Sequence, residues 1–282
     1  MEDYRSGKKS LEAGCYIAGA GAFGVFLRWL QLQLAFNELG LADKSVFHWI
    51  VAAFILASAL IFASFVRRYS GQQLSLPDDF SQSFRSDEHR LYLFVRIAAG
   101  AVLFLGGLLL IYQSGTDRNA SDYRVIGILA MFSGLSFPVW LGSANRETKP
   151  AAWLLCLLSF FPMLLMAAWM VICYKLNTIN SVAWSYIIEL LAIVAGMFAF
   201  FRLGGFVFEK PNWKRCMFDC FLGAMLCIMA LADERYLGLQ IVFVGLALEL
   251  LLCSWIMVKN LQKGDSKPAA PEKENTGGFE KL

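Results

Sequence analysis

GAFGVFLRWLQLQ, residues Gly21–Gln33, sets a single arginine in a run otherwise suited to lipid. A charge near the middle of a membrane helix costs roughly 2.5 kcal/mol or more unless it is paired or hydrated. Arg28 therefore needs a partner, and the rest of the chain shows what kind of fold could supply one.

The run around Arg28 is one of several. Of 282 residues 58% are hydrophobic, 15% aromatic and only 17% charged, outside the range of soluble domains, where apolar content is nearer half. Eight stretches reach the roughly 20 residues that cross a hydrocarbon core of about 30 Å. They fall at 11–33, 45–66, 91–112, 124–143, 151–174, 182–203, 214–232 and 236–258, the seventh interrupted by Asp219. The expected fold is an all-α, polytopic transmembrane bundle of about eight spans over residues 11–260, with a short N-terminal segment, 1–10, before it. Residues 261–282 are charged, rich in Gly and Pro, and read as a disordered tail. No small-x-small cleavage site follows Arg5, Lys8 and Lys9, so the first span reads as a retained helix.

The basic residues orient the bundle. Of 25 Lys and Arg, Arg28 and Arg96 lie within spans, and Lys44, Arg118, Arg124, Lys175 and Arg235 lie on the side away from the termini; all the others share the side of the termini. Such a bias predicts a multi-pass protein of the cell (plasma) membrane with both termini cytoplasmic. A net charge of +3 gives no sign of a nucleic-acid partner. The long connection 67–90 carries LPDDFSQSF (Leu76–Phe84), with Pro77 at a first helical position, acids behind it, and Phe80 and Phe84 four apart. It predicts a short interfacial helix that tethers the loop to headgroups, and this loop and the tail are the places where a protein partner would bind.

Two halves of the chain resemble each other. SVFHWIVAAFILASALIFASF from Ser45 lies without gaps on SVAWSYIIELLAIVAGMFAFF from Ser181, FLGGLLLI from Phe104 on FLGAMLCI from Phe221, and RVIGILAMFSGL from Arg124 on RYLGLQIVFVGL from Arg235. The order is the same in both halves. A parallel four-plus-four repeat, with halves at 11–143 and 151–260 and a site between them, is one explanation; chance agreement among apolar helices is the other.

Depth, at about 1.5 Å per helical residue, sorts the charges within the spans. Arg28 and Glu189 fall at similar depths toward the side away from the termini, and Arg96 and Glu249 toward the side of the termini. The expectation is two pairs across the halves, Arg28 with Glu189 and Arg96 with Glu249, with Gln31, Asn37 and Glu38 extending the polar face outward from Arg28. Two readings stay open, a structural clamp and a polar path for a substrate or proton. Gly14, Gly19, Gly21 and Gly24 thin the first span for close packing, and Pro138 and Pro162 give the fourth and fifth places to kink. The eight Trp fall mostly toward span ends, as in an interfacial belt.

The chain lacks H-E-x-x-H, G-x-S-x-G and Walker motifs, and GAGAFG (Gly19–Gly24) lies inside a span rather than in a strand-to-helix turn. With only His48 and His89, on opposite sides, no metal or cofactor is expected, and the seven cysteines read as small apolar residues. An enzyme therefore ranks last. The functional expectation is a carrier or receptor for a small-molecule or proton ligand, bound in the bilayer by Arg28, Glu189, Gln31, Arg96 and Glu249; the alternative is a non-catalytic structural or regulatory subunit of a membrane complex.

Overall fold

The computed structural model describes residues 2–36, 46–86, 90–145, 151–178, 182–208 and 211–263, with side chains from Ser10 onward apart from a few loop positions. Asn37, Glu38, the segment 87–89 and the tail from 264 lie outside the described residues, so expectations placed there are left as expectations.

Long apolar runs fold as helices because lipid offers the backbone no hydrogen-bond partner, so its polar groups must bond to one another. The described residues form α1 (Glu2–Leu34), α2 (Val46–Gly71), α3 (Phe80–Ser83), α4 (Arg90–Thr116), α5 (Arg124–Ser143), α6 (Ala152–Asn177), α7 (Ile187–Gly205), α8 (Trp213–Met229) and α9 (Leu237–Lys259). Two strands, β1 (Leu74–Ser75) and β2 (Gln262–Lys263), pair antiparallel. Short 3-10 turns at Arg118–Tyr123, Ala183–Ser185, Phe206–Phe208 and Ala230–Ala232 adjoin α5, α7 and α8. All helices but α3 are long and apolar enough to cross a membrane, eight in number among the described residues. Helix α1 starts at Glu2, and its apolar part of spanning length runs from Ser10 to Leu34. Helices α5 and α6 run on through Pro138 and Pro162 without a break.

Helices α4 to α9 close a ring in chain order, with α9 packed back on α4; α1 lies in the groove between α8 and α9, and α2 stands outside against α1 and α8. Helix α9 is apolar nearly all round and has the largest buried share, as a helix enclosed by its neighbours should. The two halves differ in their neighbours. Under the repeat α2 and α4 would correspond to α7 and α8, yet α7 and α8 pack closely while α2 stays away from α4, the two being separated by the long connection that holds β1 and α3.

Close approach concentrates on α4 rather than on α1. Gly14 and Gly19 face open space, while Gly21 meets Ile228 and Gly24 meets Met229 and Phe54. On α4, Gly106 lies against the Val242 backbone, and on α9, Gly245 lies against the Leu103 backbone. A Cβ on Gly245 would come within 2.8 Å of Leu103 Cα, so Gly245→Ala is expected to cost about 1–3 kcal/mol in detergent unfolding.

The long connection closes the end of the bundle nearest the termini. Asp79, not Pro77, starts α3: it is the N-cap, and its carboxylate accepts from the Ser81 N–H at 3.2 Å. Phe80 and Phe84 are buried against Trp140, at 4.9 and 5.5 Å between ring centroids, and Phe84 also meets Phe206 at 5.2 Å. The segment thus plugs the bundle instead of lying on headgroups, because both aromatics face one hydrophobic mouth. Asn260 at the end of α9 fastens it, donating to the Ser83 and Arg85 carbonyls at 2.8 Å each. The tryptophans divide as well: Trp29, Trp49 and Trp153 are exposed as a belt requires, while Trp140 and Trp169 are core residues.

Candidate functional site

At the end away from the termini the last turns of α1, the first turns of α2 and α7, and the connection from α8 to α9 converge on the buried charges. Arg28 is fully buried. Its Nε donates to Asp233 Oδ1 at 2.7 Å, Nη1 to Gln31 Oε1 at 2.7 Å and the Trp184 carbonyl at 3.0 Å, and Nη2 to the Ser185 carbonyl at 3.1 Å. Four of the five guanidinium donors are thereby engaged. Gln31 Nε2 meets His48 Nδ1 at 2.6 Å, and His48 stacks on Trp184 at 4.8 Å, drawing in α2 and the turn before α7.

Asp233 joins this group to a second one. Its other oxygen, Oδ2, lies 3.1 Å from Arg235 Nη2, and Arg235 Nη1 lies 2.5 Å from Glu189 Oε2. Glu189 Oε1 accepts from the Trp169 indole at 2.8 Å, and Cys173 lies 3.5 Å from Oε2. The result is one chain of contacts, Arg28 to Asp233 to Arg235 to Glu189 to Trp169, with two guanidiniums facing two carboxyl groups. Sitting in the first turn of α7, Glu189 also meets the positive end of that helix.

The expected direct pairing of Arg28 with Glu189 is therefore replaced by a relay through Asp233 and Arg235. Depth along the spans does not reach Asp233 and Arg235, which fall between the seventh and eighth apolar stretches. The connection between the 3-10 turn at Ala230–Ala232 and α9 is so short that Asp233 is held inside the bundle, 4% exposed. Three charged residues in succession, Asp233, Glu234 and Arg235, in so tight a hairpin were the signal available in the sequence.

Arg96 and Glu249 do not meet either. Arg96 lies over the Tyr92 ring at 5.6 Å and against Gly142 of α5, where the missing side chain makes room for the guanidinium. Glu249 is fully buried on α9, and neither carboxyl oxygen has a hydrogen-bond partner among the described residues. Rise per residue gave the two a common depth but not a common direction around their helices. Asp219, the interruption in the seventh span, is matched by Arg202 of α7 at 2.6 Å, which is how α8 keeps an acid on its side.

Above the relay an open cleft of about 550 Å³ is lined by Tyr123, Glu234, Arg235, Tyr236, Leu239 and Gln240. Arg235 lines this cleft and also reaches the buried carboxyl groups, so it connects the exposed and enclosed parts of the site. Burial alone lowers the Arg235 pKa, but Glu189 and Asp233 more than offset it and hold the pKa above the usual arginine value. Its Nε–H, buried, has no hydrogen-bond partner among the described residues. Tyr236 donates to Asp117 at 2.8 Å, and that bond raises the phenol above its usual value. Gln113 of α4 accepts from the Gly238 N–H at 3.1 Å and so caps the start of α9.

No protein family matches this sequence, and neither characterised proteins nor solved structures show one similar to it. The class rests on the helices themselves: eight apolar helices of spanning length, enclosing charges that pair internally, fit a multi-pass integral membrane protein.

Proposed function

We propose that the chain is a carrier or receptor for a small molecule, with its site at the cleft above Arg235. The position of Arg235 carries this reading: one guanidinium borders open space and contacts two buried carboxyl groups. An arriving carboxylate or phosphate would find a planar fork suited to bidentate binding, and Glu189 would then exchange its ion pair for a proton or a cationic group. Arg28 and Gln31 serve differently, holding α1, α2, α7 and the hairpin around the site with their own bonds already made. Arg96 and Glu249 are polar stations nearer the termini; eight apolar residues of α9, Ile241 to Leu248, separate Gln240 from Glu249, as in a closed state. The asymmetry of Lys and Arg supports a plasma-membrane protein with cytoplasmic termini, which opens this cleft to the outside.

A second reading, a non-catalytic subunit of a membrane complex, draws support from Arg28, whose satisfied bonds resemble a clamp more than a binding group. Thermal unfolding in detergent against succinate, citrate and inorganic phosphate separates the two. The carrier or receptor reading expects at least one probe to stabilise the wild type, by about 2.7 kcal/mol at a hundred times its Kd. Glu189→Gln should fold, because Arg235 keeps Asp233, yet lose that response. A wild type indifferent to all three probes would favour the subunit.

A further inference from the structure

Two adjoining spaces at the end of the bundle nearest the termini carry a chemistry that the Arg235 site does not use. The first is a cleft of about 740 Å³ between α2 and α8, where Arg67, Arg202, Lys214 and Arg215 surround a single acid, Asp219. Arg202 is already bound to Asp219 at 2.6 Å. Among the described residues no ion pair engages Arg67, Lys214 or Arg215. The second is a groove of about 510 Å³ along α6 and α7, walled by Phe160, Phe198 and Phe201 with Met163. Arg202 and Arg215 line both.

The cations stand at helix ends, Arg202 in the last turn of α7 and Lys214 and Arg215 in the first turn of α8, which is headgroup level if these helices span a bilayer. The phenylalanines lie farther along the outer wall of the helices, at acyl-chain level. Phe198 and Phe201 are exposed there. We propose that this composite is a binding site for an anionic phospholipid of the leaflet at the termini, its phosphate held by Arg67, Lys214 and Arg215 and one acyl chain lying in the phenylalanine groove. A soluble anion would use the basic cleft and leave the groove empty, and a neutral lipid would use the groove and leave three cations outside any ion pair among the described residues, Lys214 over the Trp213 ring and Arg215 near Asp219; an amphiphile with a negative head matches both. Arg202 orients the rim through Asp219 and separates the two spaces. The site rests on the membrane reading and is independent of the carrier reading.

The test uses the full chain, purified in detergent, with dioleoylphosphatidylglycerol, dioleoylphosphatidylcholine and glycerol 3-phosphate as separate additives in thermal unfolding. Flotation with vesicles of phosphatidylcholine, with and without phosphatidylglycerol, accompanies it. Phosphatidylglycerol should raise Tm, while the other two additives should not. A triple variant, Arg67→Gln, Lys214→Gln and Arg215→Gln, should keep the lipid-free Tm and need roughly a hundredfold more phosphatidylglycerol for half of the shift. Equal shifts with phosphatidylcholine, an unchanged response in the triple variant, or a full response to glycerol 3-phosphate would overturn the lipid site. Failure to float with either vesicle would overturn the membrane reading and the site with it.

Discussion

Asp233→Ala should lower the stability of the folded chain by about 3–5 kcal/mol, measured by unfolding in detergent micelles. Asp233 is 4% exposed, and its two oxygens serve two guanidiniums, Arg28 at 2.7 Å and Arg235 at 3.1 Å. Without it Glu189 alone faces two positive charges, and Arg28 Nε keeps no acceptor. Leaving an uncompensated charge buried is the costly change; the intact network contributes far less relative to a well-packed apolar replacement. Asp233→Asn should fall between wild type and Ala, since its carbonyl still accepts one bond. Equal stability of the Ala variant and wild type would show that the charges are hydrated rather than enclosed.

Trp169→Ala is expected to cost about 3–5 kcal/mol, for a different reason. Trp169 is fully buried, packs on Phe243 at 4.4 Å between ring centroids, and gives Glu189 its indole N–H. Truncation leaves a cavity between α6 and α9 and removes a donor from a buried carboxyl group. Trp169→Phe separates the two terms: most of the packing returns while the hydrogen bond stays absent, so the remaining loss should be roughly 1–3 kcal/mol. A Phe variant as unstable as the Ala variant would assign the whole effect to Glu189, whereas a Phe variant as stable as wild type would make the bond irrelevant.

Much of the architecture could be read from length and hydropathy, because a spanning helix needs a fixed run of apolar residues whatever it packs against. A short helix in this stretch was legible from Pro77, the acids behind it and the paired phenylalanines, but its start at Phe80 and its destination were not: sequence gives the apolar face and not the mouth that receives it. The same limit governs the charges. Arg28, Gln31 and Glu189 all fall in one network; the cost of isolated charge in lipid points to Arg28 and Glu189, whereas Asp233 and Arg235 lie between spans and His48, within the second span, carries no obligatory charge. Depth follows from counting residues along a helix, but direction around the helix depends on packing. Arg96 and Glu249 share a depth and still diverge, one toward Gly142 and the other into the apolar interior.

The central claim is that the enclosed charges form one relay in which Asp233 stands between Arg28 and the rest. A double-mutant cycle on Arg28→Met and Asp233→Ala, with unfolding free energies for wild type, both single variants and the double, tests it directly. The relay predicts a coupling of about 2 kcal/mol or more between these two positions, and a smaller one when Glu189→Ala takes the place of Asp233→Ala. Additivity at Arg28 and Asp233 to within about 0.5 kcal/mol, or a larger coupling of Arg28 with Glu189, would contradict it.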